Sequence, residues 1–508
     1  MKEEKKNTVS PESSVSSPAV VDTSSKAKDG QNRCPYCGAT EIFTNAKTGK
    51  LRCSYCRNEF EAEKLEGMVE DISQLQGQVM GSGASNIQAD VKDVITLKCT
   101  SCGAEVVIDT ASSVNAKCHW CRNILSINEQ IPNGSVPDTV LPFGVTKDEA
   151  RKCIEDFVGK RKFFANPKFT AEFTTENVMG VYFPYMLVDV NAHANLSGEG
   201  EHLKRRYFVN TNNGQKTYYD ADLYHVEREY DLTISGLSVE SSSDRRNNSA
   251  SDKTNNVINA IMPFDIENCV KYNANFLKGY TSEKRDTNID ELRPLVYTQS
   301  KDISRFAANE TLTHYDRGVK WETEDLAIKG QQWKSAYLPV WLYSYQEVNG
   351  EKKLLHYVAV NARTKETMGS VPIHMPKLLI CSGLVELVGV LGVIFVDWDY
   401  KYVFLVLGFV FFFIFYAKYR NASARHTYET ETKKNMTNLR QVDTFIKTKK
   451  GLENSRMTGA NNLNVQGSTN NSGFLGNLTK NTVVNAIADS NPVASIVKEG
   501  IENRKKGE

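Results

Sequence analysis

Apolar and polar positions change rhythm several times along the chain. Residues 1–32 are polar and rich in Ser and Pro, with no apolar block ahead of the first cysteine. Such a stretch buries too little surface to offset chain entropy, so it is predicted disordered, and it lacks the form of a secretory signal. Between residues 61 and 75 the spacing allows a short helix, and the glycines of residues 80–86 read as a flexible joint. Residues 131–137 form a second joint. From Val140 to about Pro376 helical and strand spacings alternate. Leu141-Pro142-Phe143 leads into a helix over 147–158 with Thr146 as N-cap, and Met262-Pro263-Phe264 leads into a helix-like stretch over 266–277. Each is followed by an aromatic, β-branched strand, 181–188 and 336–343. Each strand carries one proline, Pro184 or Pro339, a residue that belongs at an edge, a strand start or a bulge. Further strands are expected at 206–210, 216–219 and 354–361, a loop at 238–256 and a helical insert near 281–315. The order predicts an α+β domain over 141–376 built from two related halves.

Two continuous apolar runs follow. Residues 378–396 number 19 with one charge, Glu386, and residues 402–417 number 16, Phe-rich and uncharged. At 1.5 Å per residue they reach about 28 and about 24 Å, against a hydrocarbon core of about 30 Å. The first suffices. The second spans with Tyr400, Tyr402, Tyr416 and Tyr419 at the interfaces and Lys401 and Lys418 snorkelling. Glu386 costs about 2.5–3.5 kcal/mol at mid-helix, which the apolar remainder offsets. A transmembrane hairpin is therefore predicted rather than the buried hairpin of a soluble core. Lys377 precedes it and Lys418, Arg420, Arg425, Lys433 and Lys434 follow, whereas residues 397–401 hold one cation and two anions. That bias places both termini in the cytoplasm. Residues 418–508 are polar and predicted flexible, with a short apolar piece at 483–488 suited to a partner.

Composition narrows the class. A chain of 508 residues exceeds one ordinary core, and 62 Lys+Arg against 61 Asp+Glu leave +1, which excludes a globally basic nucleic-acid binder. Eight of the 11 cysteines fall into four Cys-x-x-Cys pairs; Cys153, Cys269 and Cys381 are scattered. Cys34 and Cys37 are followed after 15 residues by Cys53 and Cys56, and Cys99 and Cys102 after 15 residues by Cys118 and Cys121. Two residues between thiols let a tight turn aim both at one metal, and the spacer brings the second turn round in a hairpin. Four thiolates then close a tetrahedron, the geometry of structural Zn²⁺ with no open position. Gly38 and Gly103 follow the first pairs, where φ > 0 is needed, and Asn58 and Asn123 follow the second pairs in matching Cys-Arg-Asn sequences. A redox role needs a βαβ context that is absent, and the thiols imply a reducing compartment. Two structural Zn²⁺ are the expected cofactors.

Residues 33–60 carry a net +3 and residues 98–123 a net +1; each Zn²⁺ with four thiolates subtracts two. Neither ribbon offers the cation cluster that nucleic-acid affinity requires. Tyr36, Tyr55 and Trp120 suit base stacking or packing of the ribbon core. No GxxxxGK[ST], HExxH or GxSxG occurs. His193, Glu199, Glu201 and His202 come nearest to a further metal cluster but read as a polar hairpin tip, and Asp189 is a carboxylate without an evident partner. No catalytic residue and no small-molecule substrate is identified.

CPYCG and CRN in the ribbons, LPFGVTKDEA, GVYFPYMLVD, MPFDIEN, FLKGYTSEK, YLPVWLY and the terminal apolar pair occur in that order. Together they resemble bacterial membrane proteins with transcription factor IIB-type zinc ribbons, some labelled primosomal helicases. The resemblance implies metal binding and a membrane location and brings no reaction; the missing nucleotide loop argues against a helicase. The predicted architecture is α+β and multidomain. It comprises zinc ribbons at 33–61 and 96–128, linkers at 62–95 and 129–140, a duplicated α+β domain at 141–376, a two-helix transmembrane hairpin at 377–417 and a tail. The expected function is that of a non-enzymatic membrane-anchored adaptor for a cytoplasmic protein. The alternative is a membrane-tethered, nucleic-acid-binding or transcription-linked protein.

Overall fold

The computed structural model describes residues 18–23, 33–39, 41–45, 48, 50–65, 68–85, 94–98, 105–109, 130–131, 137–174, 177–211, 214–242, 259–277, 279–349, 352–395, 401–420 and 431–453. One large mixed sheet dominates, with few helices and a small separate sheet near the N-terminus. Strand β1 (Ala19–Val21) precedes the small antiparallel sheet of β2 (Ile42–Thr44), β3 (Leu51–Cys53) and β4 (Glu59–Phe60). Strand β5 (Gly77–Gly81) pairs in parallel with β1. The hairpin of β6 (Val94–Lys98) and β7 (Glu105–Asp109), with β8 (Gln130–Ile131) beside β6, occupies one end of the large sheet. Strand β9 (Thr139–Val140) then enters its centre.

The sheet's body is four long antiparallel strands. In spatial order they are β17 (Lys433–Glu453), β11 (Gly214–Glu240), β10 (Met179–Thr211) and β14 (Gly318–Asn349). Short strands complete it: β12 (Val270–Lys271) beside β9, β13 (Thr281–Glu283) beside β10, and β15 (Lys352–Asn361) with β16 (Thr367–Gly369) beyond β14. At about 3.3 Å per residue the 33 residues of β10 reach roughly 110 Å. Its first part is buried on both faces and accordingly continuous in apolar residues. From His193 to Gly200 the pattern turns to period two, with Ala194, Leu196, Gly198 and Gly200 inward. The strands expected at 206–210 and 216–219 are the far ends of β10 and β11.

Helix α1 (Lys147–Gly159) starts as expected at Thr146, whose hydroxyl accepts Glu149 N–H while the Glu149 carboxylate accepts Thr146 N–H at 2.9 Å. Short α2 (Pro167–Glu172) follows. The expected helix over 266–277 is instead 3₁₀ turns around β12. Asn273 Oδ1 accepts Asn275 N–H at 3.1 Å, a local turn that competes with helix formation. The longer helix α3 (Ile289–Asn309) lies within the helical insert expected near 281–315. Its Leu292, Val296, Ile303 and Ala307 join Leu196, Tyr230, Leu232 and Trp333 in one core.

The two proline-bearing strands lie side by side, with Tyr182 opposite Pro339, Phe183 opposite Leu338 and Pro184 opposite Tyr337. Neither proline is at an edge. On its outer side Pro184 falls between the residues that pair with β13 and those that pair with the end of β11, and Pro339 between those that pair with β9 and those that pair with the end of β15. The missing N–H costs no ladder bond there. Their carbonyls still accept, from Ser241 N–H at 3.1 Å and Ala362 N–H at 3.2 Å.

Several segments expected to be irregular are built into the sheet. Residues 18–23, within the expected disordered stretch, include β1, and Thr23 Oγ1 bonds the buried Asp138. Among the described residues of 61–65 and 68–75 the one helical element is a 3₁₀ turn at Ile72–Gln74. The glycines of residues 80–86 are not a joint: β5 pairs with Gly330–Trp333, and the following turn is buried. A Cβ at Gly81 would overlap the Asp138 carboxylate, and one at Gly330 the Leu75 carbonyl. These glycines permit close approach rather than motion. In the tail, β17 is an ordered strand fixed by Arg228. That guanidinium, 1% exposed, pairs with Asp443 at 2.7 and 3.2 Å and with Thr311.

Helix α4 (Met375–Phe395) is, among the described residues, the one helix long and apolar enough to cross a membrane. The second apolar segment is not a single helix. A 3₁₀ stretch, Lys401–Val406, leads into α5 (Leu407–Arg420), which is shorter than a spanning helix. Gly408 N–H donates to the Glu386 carboxylate at 2.8 Å, so the mid-helix charge caps the start of α5. Tyr419, expected at an interface, is buried. Its hydroxyl donates to Arg161 O and accepts Phe164 N–H at 2.9 Å, bolting α5 to the domain.

Candidate metal centre

The small sheet carries two turns of the same build. Gly38 N–H donates to Cys34 O at 2.8 Å, and Arg57 N–H donates to Cys53 O at 3.0 Å. The residue closing each turn has φ > 0, Gly38 at 74° and Arg57 at 61°. Arg57 thus takes the place expected of Asn58. The conformation belongs to the position directly after each thiol pair.

These turns bring Cys34, Cys37, Cys53 and Cys56 together, all four Sγ atoms within 4.8 Å of one another. Cys34 Sγ lies 3.5 Å from Cys56 Sγ and Cys37 Sγ 3.5 Å from Cys53 Sγ, and all four are free thiols. A tetrahedral Zn²⁺ with bonds of about 2.3 Å separates its sulfurs by about 3.8 Å, so the donor set and spacing fit that ion. Electrostatics agree. Cys56 N–H and Tyr55 N–H point at Cys53 Sγ and bring its thiol down to about 7. At Cys37 the Ala39 N–H lowers the value, but desolvation and three neighbouring thiols push it up to about 12. Four thiolates this close ionise together only around a cation.

The ribbon is docked, not strung on a linker. Ile42 and Leu51 share a core with Phe276 and Leu277, and Lys271 N–H donates to Glu63 O at 2.7 Å. Tyr36 and Tyr55 point outward, 63% and 72% exposed, so neither packs the ribbon core. Lys50 pairs with Glu61 at 3.4 Å and Arg52 with Glu59 at 4.0 Å. Phe43 opens onto a cleft of about 440 Å³ shared with Lys147, Tyr280 and Trp341.

The chain matches no family model, no curated protein and no solved structure. Cys99, Cys102, Cys118 and Cys121 lie outside the described residues, as do Gly103, Trp120 and Asn123; β6 and β7 flank the first of those pairs. The histidine cluster does not assemble. His193 sits against Asp231 at 2.9 Å and Glu229 at 3.3 Å, while His202 stacks on His314 at 4.4 Å. Asp189 is not alone: it accepts Gly236 N–H at 2.9 Å and pairs with Lys334 at 2.8 Å. The buried Asp138, which also accepts Gly83 N–H and Ser335 N–H at 2.7 Å, left no trace in the sequence.

Proposed function

We propose that the chain is a membrane-anchored zinc-ribbon adaptor without catalytic chemistry, presenting its first ribbon to a cytoplasmic protein. The observation that carries this is the outward pair Tyr36 and Tyr55 on a ribbon held against the sheet. A rigid aromatic pair supplies contact area at low entropic cost. The pairing of Lys50 and Arg52 with glutamates weighs against nucleic acid, the runner-up, since few cations are left for phosphate. The quartet holds one structural Zn²⁺, and Cys99, Cys102, Cys118 and Cys121 hold a second through the same spacing.

The hairpin of α4 and α5 is the anchor. Leu379, Ile380, Leu384, Leu387, Val388 and Phe409 are more than half exposed on it, a surface suited to hydrocarbon. The flanking cations put both termini in the cytoplasm. Two halves of common origin explain why the proline strands pair about Phe183 and Leu338, with β9 and β13 taking matching parallel places. The order of motifs keeps its likeness to the membrane proteins with transcription factor IIB-type ribbons.

A photo-crosslinking phenylalanine analogue at Tyr36 of the full chain, activated in cells, tests the adaptor role. A discrete protein adduct that is absent with the analogue at exposed Tyr297 is expected. Adducts to RNA or DNA instead would replace the favoured function by the runner-up.

A further inference from the structure

Residues 160–168 hold Lys160, Arg161, Lys162 and Lys168 and no acid. The nearest acids in sequence, Glu155, Asp156 and Glu172, lie on the flanking helices. The segment is wedged against the base of the hairpin. Arg161 Nε donates to Lys418 O at 3.4 Å, near the end of α5, and Lys377 Nζ donates to Phe163 O at 2.7 Å from the first turn of α4. His374 N–H donates to Phe164 O at 2.8 Å, and Ala165 bridges to Ile373. Phe164 points inward against Phe411, Phe415 and Tyr419. Its neighbour Phe163 points out, 62% exposed, with the Lys377 ammonium 4.0 Å from its ring. Only two residues beyond Lys377 begin the exposed apolar positions Leu379 and Ile380.

We propose that residues 160–168 form a collar that rests on the bilayer and binds anionic lipid headgroups, with Phe163 seated in the interface and Lys160, Lys162 and Lys168 facing phosphate. The inference rests on the hairpin being embedded in the membrane, because only that places Phe163 at headgroup depth. Lys160, Lys162 and Lys168 are exposed and have no ion-pair partner among the described residues, so they are available to an external anion. An aromatic ring beside several lysines at the end of an apolar segment is the composition that headgroups attract. The collar also keeps the domain from swivelling on its anchor, since it contacts both legs of the hairpin.

The test places the photo-crosslinking analogue at Phe163, at Phe409 or at Phe208, in the full chain reconstituted into vesicles of equal phosphatidylcholine and phosphatidylglycerol. Phe208 is equally exposed but sits at the far end of β10. Lipid adducts are expected at Phe163 and Phe409 and not at Phe208. At Phe163 they should favour phosphatidylglycerol on the order of fivefold, the weight of about one cation at the surface. The K160Q/K162Q/K168Q variant should bring that ratio to near one while leaving the Phe409 adduct unchanged. Adducts at Phe409 without any at Phe163 overturn the collar and leave the anchor standing. Absence at both positions overturns the anchor itself, and a ratio unmoved in the variant overturns the role of the lysines.

Discussion

Strand β17 lies at the sheet's edge on the β11 ladder, and one buried charge on β11 reaches across to it. Arg228 is 1% exposed, and Asp443 supplies both oxygens of a two-point contact, while Thr311 and the Glu227 carbonyl accept from the remaining donors. Asp443→Ala removes the counter-charge and leaves the guanidinium buried. Breaking a buried pair in this way costs about 3–5 kcal/mol, and the partly exposed Asp443 side chain points to the lower end, about 3 kcal/mol. The other side chains of β17 offset little of this, because Leu439, Val442 and Phe445 are already more than a third exposed. The loss therefore falls on the local opening of β17. A change of about 3 kcal/mol corresponds to roughly a hundredfold faster exchange of amide hydrogens across the middle of β17, with β10 and β14 unaffected. Hydrogen–deuterium exchange with mass spectrometry reads it directly. The double variant Arg228→Met with Asp443→Leu should recover most of the protection, since an apolar pair carries no desolvation cost. Exchange in Asp443→Ala within about threefold of the wild type would show that the ion pair does not hold the strand.

Elemental analysis of the full chain should return two zinc per molecule, and Cys53→Ser should halve it; zinc near zero with oxidised thiols would remove the centre. Gly81→Ala should destabilise by about 1–3 kcal/mol in denaturant melts, because the new methyl meets the Asp138 carboxylate. A neutral result there would restore the flexible joint. Glu149 is held down to about 2, first by Lys365 and then by Thr146. Its folded value lies below the ordinary 4.5, so its contribution is complete above that pH and is lost as the pH falls toward 2. Glu149→Gln should therefore lower the melting temperature at pH 7 and leave it nearly unchanged near pH 2; an equal loss at both would mean that charge is not the cause.

What could be read from the chain beforehand followed the range of each interaction. The quartet of Cys34, Cys37, Cys53 and Cys56 is local, set by two turns and a hairpin, and spacing alone found it. The N-cap Thr146 acts within one turn and was equally plain, although its capping-box partner Glu149 was not singled out. The lengths of β10 and β11 were hidden, because beyond Glu201 they are paired only with each other and β17, and exposed Arg205, Arg206 and Lys216 resemble loop composition. The glycine run misled for a related reason: Gly81 is small to admit Asp138, a residue 57 positions away in the chain. Helical spacing over 266–277 is present but yields to Asn273 and its neighbours, whereas α3 falls inside the helical insert expected near 281–315. Arg228 and Asp443 are 215 residues apart, and no one-dimensional pattern joins them.

The central claim is that α4 and α5 anchor the ribbon and the large sheet on the cytoplasmic face of a membrane. Substituting Trp398→Cys and treating intact cells with an impermeant maleimide tests it most directly, since residues 397–401 are the only part assigned to the outside. The expected result is labelling of the Trp398→Cys chain and none of the wild type, whose native thiols would all be inside. Labelling of the wild type would reverse the orientation, and no labelling at Trp398→Cys would contradict a hairpin that crosses the bilayer.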